Sequence, residues 1–422
     1  MSRKEYLLIV ASVSILFGTV SCGEKEVYDP ERHQQIIRYV SPVDSVDQQH
    51  TWQLTENHAY SVSIDAGVGA TRLEIYSDNP VESAEAELMS RVFVKDGQQV
   101  TLIVSMPTLL TTLYAALVDE DGKYTVTSFP KTAHSVSFSN LIAKKQNPRR
   151  SSPDILTYSF CYEEDFPEPG DYDYNDVVMR IALERTGEKT MDIHTTLSAV
   201  GAGKSLAGAI RLVGYRYQDI DSIVAKDGKT LNVNVPSTCY ELIKSDDLLQ
   251  KGRNGEAVVN LFLDAHWAMG DDIPIVNGDF PRYYYNVSRT YSEQFDITNA
   301  KNVTYTVYFK DGSNLNNFNI DMLDPFVLTY YLGARVEIHV DEFAAAQTMY
   351  EYSVLTFKDL PWGLKVPVRS FKYPLEGIRI GFKKEGYLFG AYMTAGHSFG
   401  DWCEDHTRYH DWYLYPTENQ VY

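Results

Sequence analysis

The stretch GDYDYNDVVMRIALERTGEKTMDIHTTLSAV, residues 170–200, carries the reading of this chain. Its second part decides the fold. Val177, Met179, Ile181 and Leu183 alternate with Val178, Arg180 and Glu184, the two-residue period of a strand with one buried face. Thr186 and Gly187 supply a turn, and Met191, Ile193, Thr195 and Leu197 describe a returning strand. A β-hairpin is therefore predicted. Its first part poses a chemical question. Asp171, Asp173, Asn175 and Asp176 fall within six residues, on the loop that feeds the hairpin. Like charges so crowded repel one another, so either something offsets the repulsion or the loop stays in water.

Single-residue spacing lets a tightly turned loop point oxygens of Asp171, Asp173 and Asn175 at one cation, with Glu163, Glu164 and Asp165 close upstream as further donors. Calcium takes six to eight oxygens at about 2.3–2.6 Å and tolerates irregular geometry, whereas magnesium demands a tighter octahedron. Asp-x-Asp-x-Asn also opens an EF-hand loop. The rest of that loop is missing: Asp176 stands where glycine is required, and Ala182 where the bidentate glutamate belongs. Two blander readings remain open. Asp and Asn also build Asx-turns on backbone N–H groups, and an acidic loop can simply be solvated.

Upstream, AYSVSID (59–65), TRLEIYS (71–77), RVFVKDGQQVTLIVS (91–105) and LYAALVDEDGKYTVTSF (113–129) read as short strands, punctuated by Asp96-Gly97 and Asp121-Gly122. Residues 51–142 are thus expected to form an N-terminal β-sandwich. The basic, proline-bearing segment AKKQNPRRSSPD, 143–154, breaks the pattern and is expected to be a linker to a larger C-terminal domain, 155–422.

The remaining features bound the class. Among 422 residues, 57 acidic against 38 basic side chains give a formal net charge of -19. Such a field repels nucleic acid and attracts cations. The 31 tyrosines lean towards strands. Arg3 and Lys4 precede an apolar run, Leu7 to Val20, too short to span a bilayer comfortably, so residues 1–21 read as a signal peptide. Ser21-Cys22-Gly23 directly follows and resembles a bacterial lipobox, although Thr19 stands where that pattern prefers leucine. The resemblance implies lipidation of Cys22; the alternative is an ordinary secretory signal with a chance cysteine. The acidic GEKE after Cys22 resembles the surface-export signal of Bacteroidota lipoproteins. Residues 22–50 are expected to be a polar tether. Cys161, Cys239 and Cys403 then remain, without a CxxC pair, and read as small buried apolar residues, with one disulfide at most.

The stretch YEEDFPEPGDYDYNDVVM resembles the signature of the LruC-domain family, surface lipoproteins of Bacteroidota. Tyr162, Glu163, Glu164, Asp165, Phe166 and Pro167 align without gaps, as do Gly170 to Val178; Glu164 replaces the usual aspartate and Asp165 a leucine. LSAVGAGKSLAGAIRL, VVNLFLDAH, DPFVLTYYL, LPWGLKVP, FKYPLEGIRI and GDWCEDHTRYHDWY resemble later family segments in order. The resemblance implies an all-β fold, with a C-terminal β-sandwich or jelly-roll-like domain, and a suspected calcium site. It implies no established activity.

Two other patterns carry less. Gly201-Ala202-Gly203-Lys204-Ser205 lacks the first glycine of a phosphate loop, that position being Ser198, and reads as a glycine-rich turn. Asp401, Glu404, Asp405, His406, His410 and Asp411 match no metal-ligand spacing. The reading taken is a non-catalytic protein of the outer membrane, lipid-anchored at Cys22 and exposed at the cell surface. Calcium is its expected ion, with ligands Asp171, Asp173, Asn175 and Asp176 helped by Glu163 or Glu164, and a glycan or protein its expected partner. The alternatives are a carbohydrate-binding component of a glycan-uptake system and a hydrolase with a hidden carboxylate pair.

Overall fold

The structure, a computed structural model, describes residues 43–65, 67–138, 144–165, 170–271, 283–331, 333–344, 346, 348–349, 352–353 and 360–422. The expected signal peptide, Cys22, the tether up to residue 42, and Phe166 and Pro167 of the LruC-like stretch lie outside the described residues.

Strands dominate, as the two-residue periods predict. The first layer pair sets a three-stranded sheet (Gln99–Pro107, Thr55–Ser63, Ser135–Ser137) against a five-stranded one (Tyr124–Pro130, Thr112–Asp119, Ala70–Tyr76, Glu87–Phe93, Asp154–Ile155). Tyr60, Val62, Leu102 and Val104 from one face meet Leu73, Ile75, Val92 and Leu117 from the other, all essentially sealed from water. Full burial of each aliphatic chain stabilises by about 1.5–3 kcal/mol.

The two Asp-Gly turns differ. Asp121-Gly122 closes a hairpin between Thr112–Asp119 and Tyr124–Pro130. Asp96-Gly97 instead carries the chain from one sheet to the other, since Glu87–Phe93 and Gln99–Pro107 pair in different sheets. The Asp96 carboxylate fixes this crossing by accepting the backbone N–H groups of Gly67, Gly69 and Ala70, each at 3.0 Å. The segment expected as a linker runs along this sandwich: Gln146 bridges Tyr124, and Asp154–Ile155 pairs in parallel with Glu87–Leu88. An edge ladder uses only backbone groups, so a polar composition does not bar it.

Beyond it, two six-stranded sheets face each other. One is ordered Ile220–Ala225, Lys301–Phe309, Thr190–Ala199, Val177–Arg185, Thr157–Tyr162, Gly363–Val366. The other is ordered Leu249–Lys251, Glu256–Phe262, Ala207–Arg216, Leu323–Tyr331, Ala334–His339, Tyr352–Ser353. Val177, Met179, Ile181, Ile193 and Leu197 point into the space between them, as their period requires. The hairpin of Val177–Arg185 with Thr190–Ala199 forms in the expected place, with a bulge between Val178 and Met179.

One expectation fails. The hairpin does not have a single buried face, because Val178 and Ala199 are also sealed. Residues 360–422 fold over the outer side of this sheet, and Val178, Ala199, Cys161 and Leu364 pack there with Phe399, Trp402 and Trp412. The end of the expected tether is docked on the same layer. Val43 is buried, the Asp47 N–H donates to the Cys403 carbonyl at 2.8 Å, and His50 stacks on Trp52, their centroids 3.8 Å apart. Burial of Val43, Trp52 and Leu54 offsets the entropy of ordering these residues. Cys161, Cys239 and Cys403 are buried thiols outside any disulfide.

Candidate metal centre

The loop before the hairpin sorts its residues by alternation. Tyr172 and Tyr174 turn into the aromatic layer: Tyr172 meets Phe382 edge-on at 5.4 Å, and the Tyr174 hydroxyl donates to the Pro361 carbonyl at 2.8 Å. Asp173 and Asn175 are directed the other way and are buried as well, at 1% and 0% exposure. Both tyrosines take left-handed backbone, with φ of 61° and 54°. For residues with a Cβ this costs on the order of 1–2 kcal/mol each, and the aromatic anchors hold them there.

This geometry gathers carboxylates from three segments. Oxygens of Glu163, Asp171 and Asp173 lie within 4.8 Å of one another. Ligand oxygens on opposite sides of a calcium ion stand about 5 Å apart, so the three can touch one ion. Glu163 and Asp173 are buried and Asp171 is exposed at the mouth. Asp176 and Glu164 lie alongside, the Glu164 N–H donating to the Asp176 carboxylate at 2.6 Å. The third segment comes from the C-terminal cover. There the Gly377 N–H donates to Asp173 Oδ2 at 2.8 Å, and Glu376 stands beside it.

Main-chain amides support the cluster. Glu163 accepts from Tyr174 at 2.6 Å and from Tyr172 at 3.3 Å, and Asp173 accepts from Asn175 at 2.9 Å. The last is an Asx-turn, so that alternative reading of the motif is realised in part. It does not exhaust the donors, since an ionised carboxylate offers about four lone-pair sites. Among the described residues, Lys204 is the one cation within ion-pair distance of these acids, 2.7 Å from Glu164 and 3.6 Å from Asp165.

The electrostatic result is one-sided. Burial, then the charges of Glu163, Asp171 and Glu376, push the Asp173 carboxyl well above the usual range. Burial and Asp171 do the same to Glu163, and burial with Glu163, Glu164 and Asp173 to Asp176. Partial desolvation by the surrounding loop also raises Asp171 at the mouth, and burial raises Glu164 against the pull of Lys204. Glu376 is pushed up to about 8 by burial, followed by Asp171, Asp165 and Glu164. Each shift says that negative charge here lacks compensation.

Of the residues singled out in the sequence, Glu163, Asp171 and Asp173 form the tightest group, with Glu164 and Asp176 beside them. Asn175 belongs to the cluster but aims its carbonyl towards Glu376 and Gly201. Glu376 and Lys204 were not legible as partners. Lys204 sat in a stretch read only as a turn, and Glu376 lies some two hundred positions away with no local pattern around it. The C-terminal polar group, by contrast, is dispersed into separate pairs. Asp401 and Glu404 bind Lys383, His406 binds Asp47, and His397 binds Asp411.

No curated protein matches. A crystal structure of a presumed lipoprotein from Bacteroides ovatus aligns over 84% of this chain and 99% of its own, at 14% identity and a TM-score of 0.49. Residues 189–413 match the family described as a domain of unknown function, DUF4842, a span that begins beyond the acidic loop. That span covers just over half of the 422 residues, and the chain therefore belongs to the DUF4842 family.

Proposed function

We propose that this chain is a non-catalytic, lipid-anchored protein of the outer membrane, exposed at the cell surface, whose binding role depends on a loop pinned by calcium. The observation that carries the reading is the imbalance at the acidic centre. Glu163, Glu164, Asp165, Asp171, Asp173, Asp176 and Glu376 act on one another there, with Lys204 as counter-charge. All the donors are hard oxygens, and the loop is irregular, which suits calcium better than magnesium. A divalent ion would turn mutual repulsion into shared attraction and tie residues 163–176 to the Pro374–Gly377 segment.

Such an ion would be structural. It would hold the hairpin against the C-terminal cover and so shape whatever surface those segments present to a glycan or protein. The anchor is read from Cys22 and its preceding apolar run, and kinship with LruC-domain lipoproteins from the 162–178 stretch. The test is thermal. Millimolar calcium raises the melting temperature over that in chelator, and Asp173→Ala removes the difference. Equal melting temperatures in the unmutated chain overturn the calcium reading. Separately, a radiolabelled fatty acid is incorporated at Cys22 and lost in Cys22→Ser.

A further inference from the structure

Among the described residues, two oxygens in the acidic centre have neither a hydrogen-bond nor an ion-pair partner. Asn175 Oδ1 and Glu376 Oε2 are both sealed from solvent and accept no hydrogen bond. Leaving a buried polar atom without a partner is costly, so a folded chain seldom keeps two together without a ligand between them. The amide cannot simply be reversed. Its Nδ2 donates to the Pro374 carbonyl at 3.2 Å, and exchange would set two carbonyl oxygens against each other.

A glycine lets both oxygens close on the backbone. A Cβ on Gly201 would fall 1.9 Å from Asn175 Oδ1 and 2.9 Å from Glu376 Oε2, so both oxygens converge on the spot where any other residue would carry its side chain. The Gly201 backbone is locked there, its N–H donating to the Asn175 carbonyl at 3.0 Å. The Tyr284 hydroxyl and Glu164 Oε1 stand nearby, 3.4 and 4.0 Å from where a Cβ on Gly203 would lie.

We propose that the acidic centre binds two divalent cations, the second held by the Asn175 side-chain carbonyl and the Glu376 carboxylate. This rests on the calcium reading above. The first ion belongs to Glu163, Asp171 and Asp173; the second joins the loop to the C-terminal cover at Gly201. Charge favours the pair. With every carboxylate ionised, as bound cations would leave them, seven carboxylates and one ammonium carry six net negative charges; one calcium leaves four, and two leave two. The competing occupant is a proton, shared from Glu376 to Asn175.

Metal content of the full mature chain, equilibrated with calcium chloride and read by native mass spectrometry, decides between them. Two calcium ions are expected per chain, falling to one in Glu376→Gln and to one in Asp171→Asn. Gly201→Ala, whose methyl fills the shared space, is also expected to hold one. A single ion in the unmutated chain, unchanged by Glu376→Gln, overturns the second site and leaves the first standing. Two ions retained in Glu376→Gln overturn the assignment of its ligands. No calcium in the unmutated chain overturns both readings. If a variant fails to fold, the count in the unmutated chain still decides the number of ions. A proton in place of the second ion predicts that Glu376→Gln, whose amide donates as the acid would, melts no lower than the unmutated chain in calcium; a cation predicts that it melts lower.

Discussion

Between the strands of the second C-terminal sheet, Asp324, Glu337 and His339 are sealed from water, yet their charges close on one another. Arg211 donates to Asp324 at 2.9 Å and pairs with Glu256 at 3.1 Å. His339 lies 2.8 Å from Asp324 and 3.2 Å from Glu337, whose oxygens also accept the N–H groups of Thr348 and Met349. Burial alone would lower the His339 pKa, but Asp324 and Glu337 outweigh it and raise it to about 9. The acidic centre gathers seven carboxylates against a single lysine among the described residues. One cluster brings enough cations in the sequence; the acidic centre brings only Lys204 among the described residues. Buried charge is tolerated when paired, so the rest of the acidic centre's counter-charge has to come from solution, as ions or as protons.

The largest way to break this contrast is Arg211→Met. It strips the internal cation from Asp324 and should cost about 3–5 kcal/mol, the usual result of removing one partner of a buried pair. Urea unfolding should show the same loss in calcium and in chelator, because no dissolved ion serves that cluster. Chelation of the unmutated chain should come next. An ion at one hundred times its dissociation constant adds about 2.7 kcal/mol per site, or about 5–10 °C in melting temperature for a chain with domains of this size. Calorimetry of Asp173→Asn should show that increment gone, while Arg211→Met keeps it.

The pH dependence separates the clusters further. In metal-free protein Glu376 titrates at about 8, above the ordinary carboxylate range, so the folded chain binds that proton more tightly than the unfolded one. Its stabilisation is complete below about pH 4 and is lost as pH rises through 8, with a slope of up to about 1.4 kcal/mol per pH unit per group. Calcium should abolish that slope by displacing the protons. His339 contributes fully below about pH 6.5 and loses its contribution as pH rises through about 9. That decline should persist in calcium. Smallest of all, Lys204→Met should cost under about 1 kcal/mol, since its side chain is 39% exposed and solvent screens it. Its cost should be greater in chelator than in calcium, as melting curves in the two buffers would show.

Much of the fold was legible because alternation is local. Met179, Ile181, Ile193 and Leu197 announced the hairpin, and Asp121-Gly122 its counterpart upstream. Local pattern could not say which sheet a strand joins, so Asp96-Gly97 gave a turn but not its crossing between layers. Nor could it show that Val178 would be covered, since the cover arrives with Phe399, Trp402 and Trp412 more than two hundred residues later. The acidic loop advertised its own donors through spacing. The donors that complete it, Glu376 above all, reach it only through tertiary contact. The same holds for residues 43–50, whose polar letters conceal Val43 and the His50–Trp52 stack.

That docked segment has a mechanical consequence. A tug arriving from the N-terminal side meets the contact of Asp47 with His406 and Cys403, and the seating of His50 on the Trp402 carbonyl, before it can reach the first strand. The load is thereby diverted across the seam and into the far end of the chain. The Thr55–Ser63 strand is spared from being peeled off its sheet like the tab of a zip.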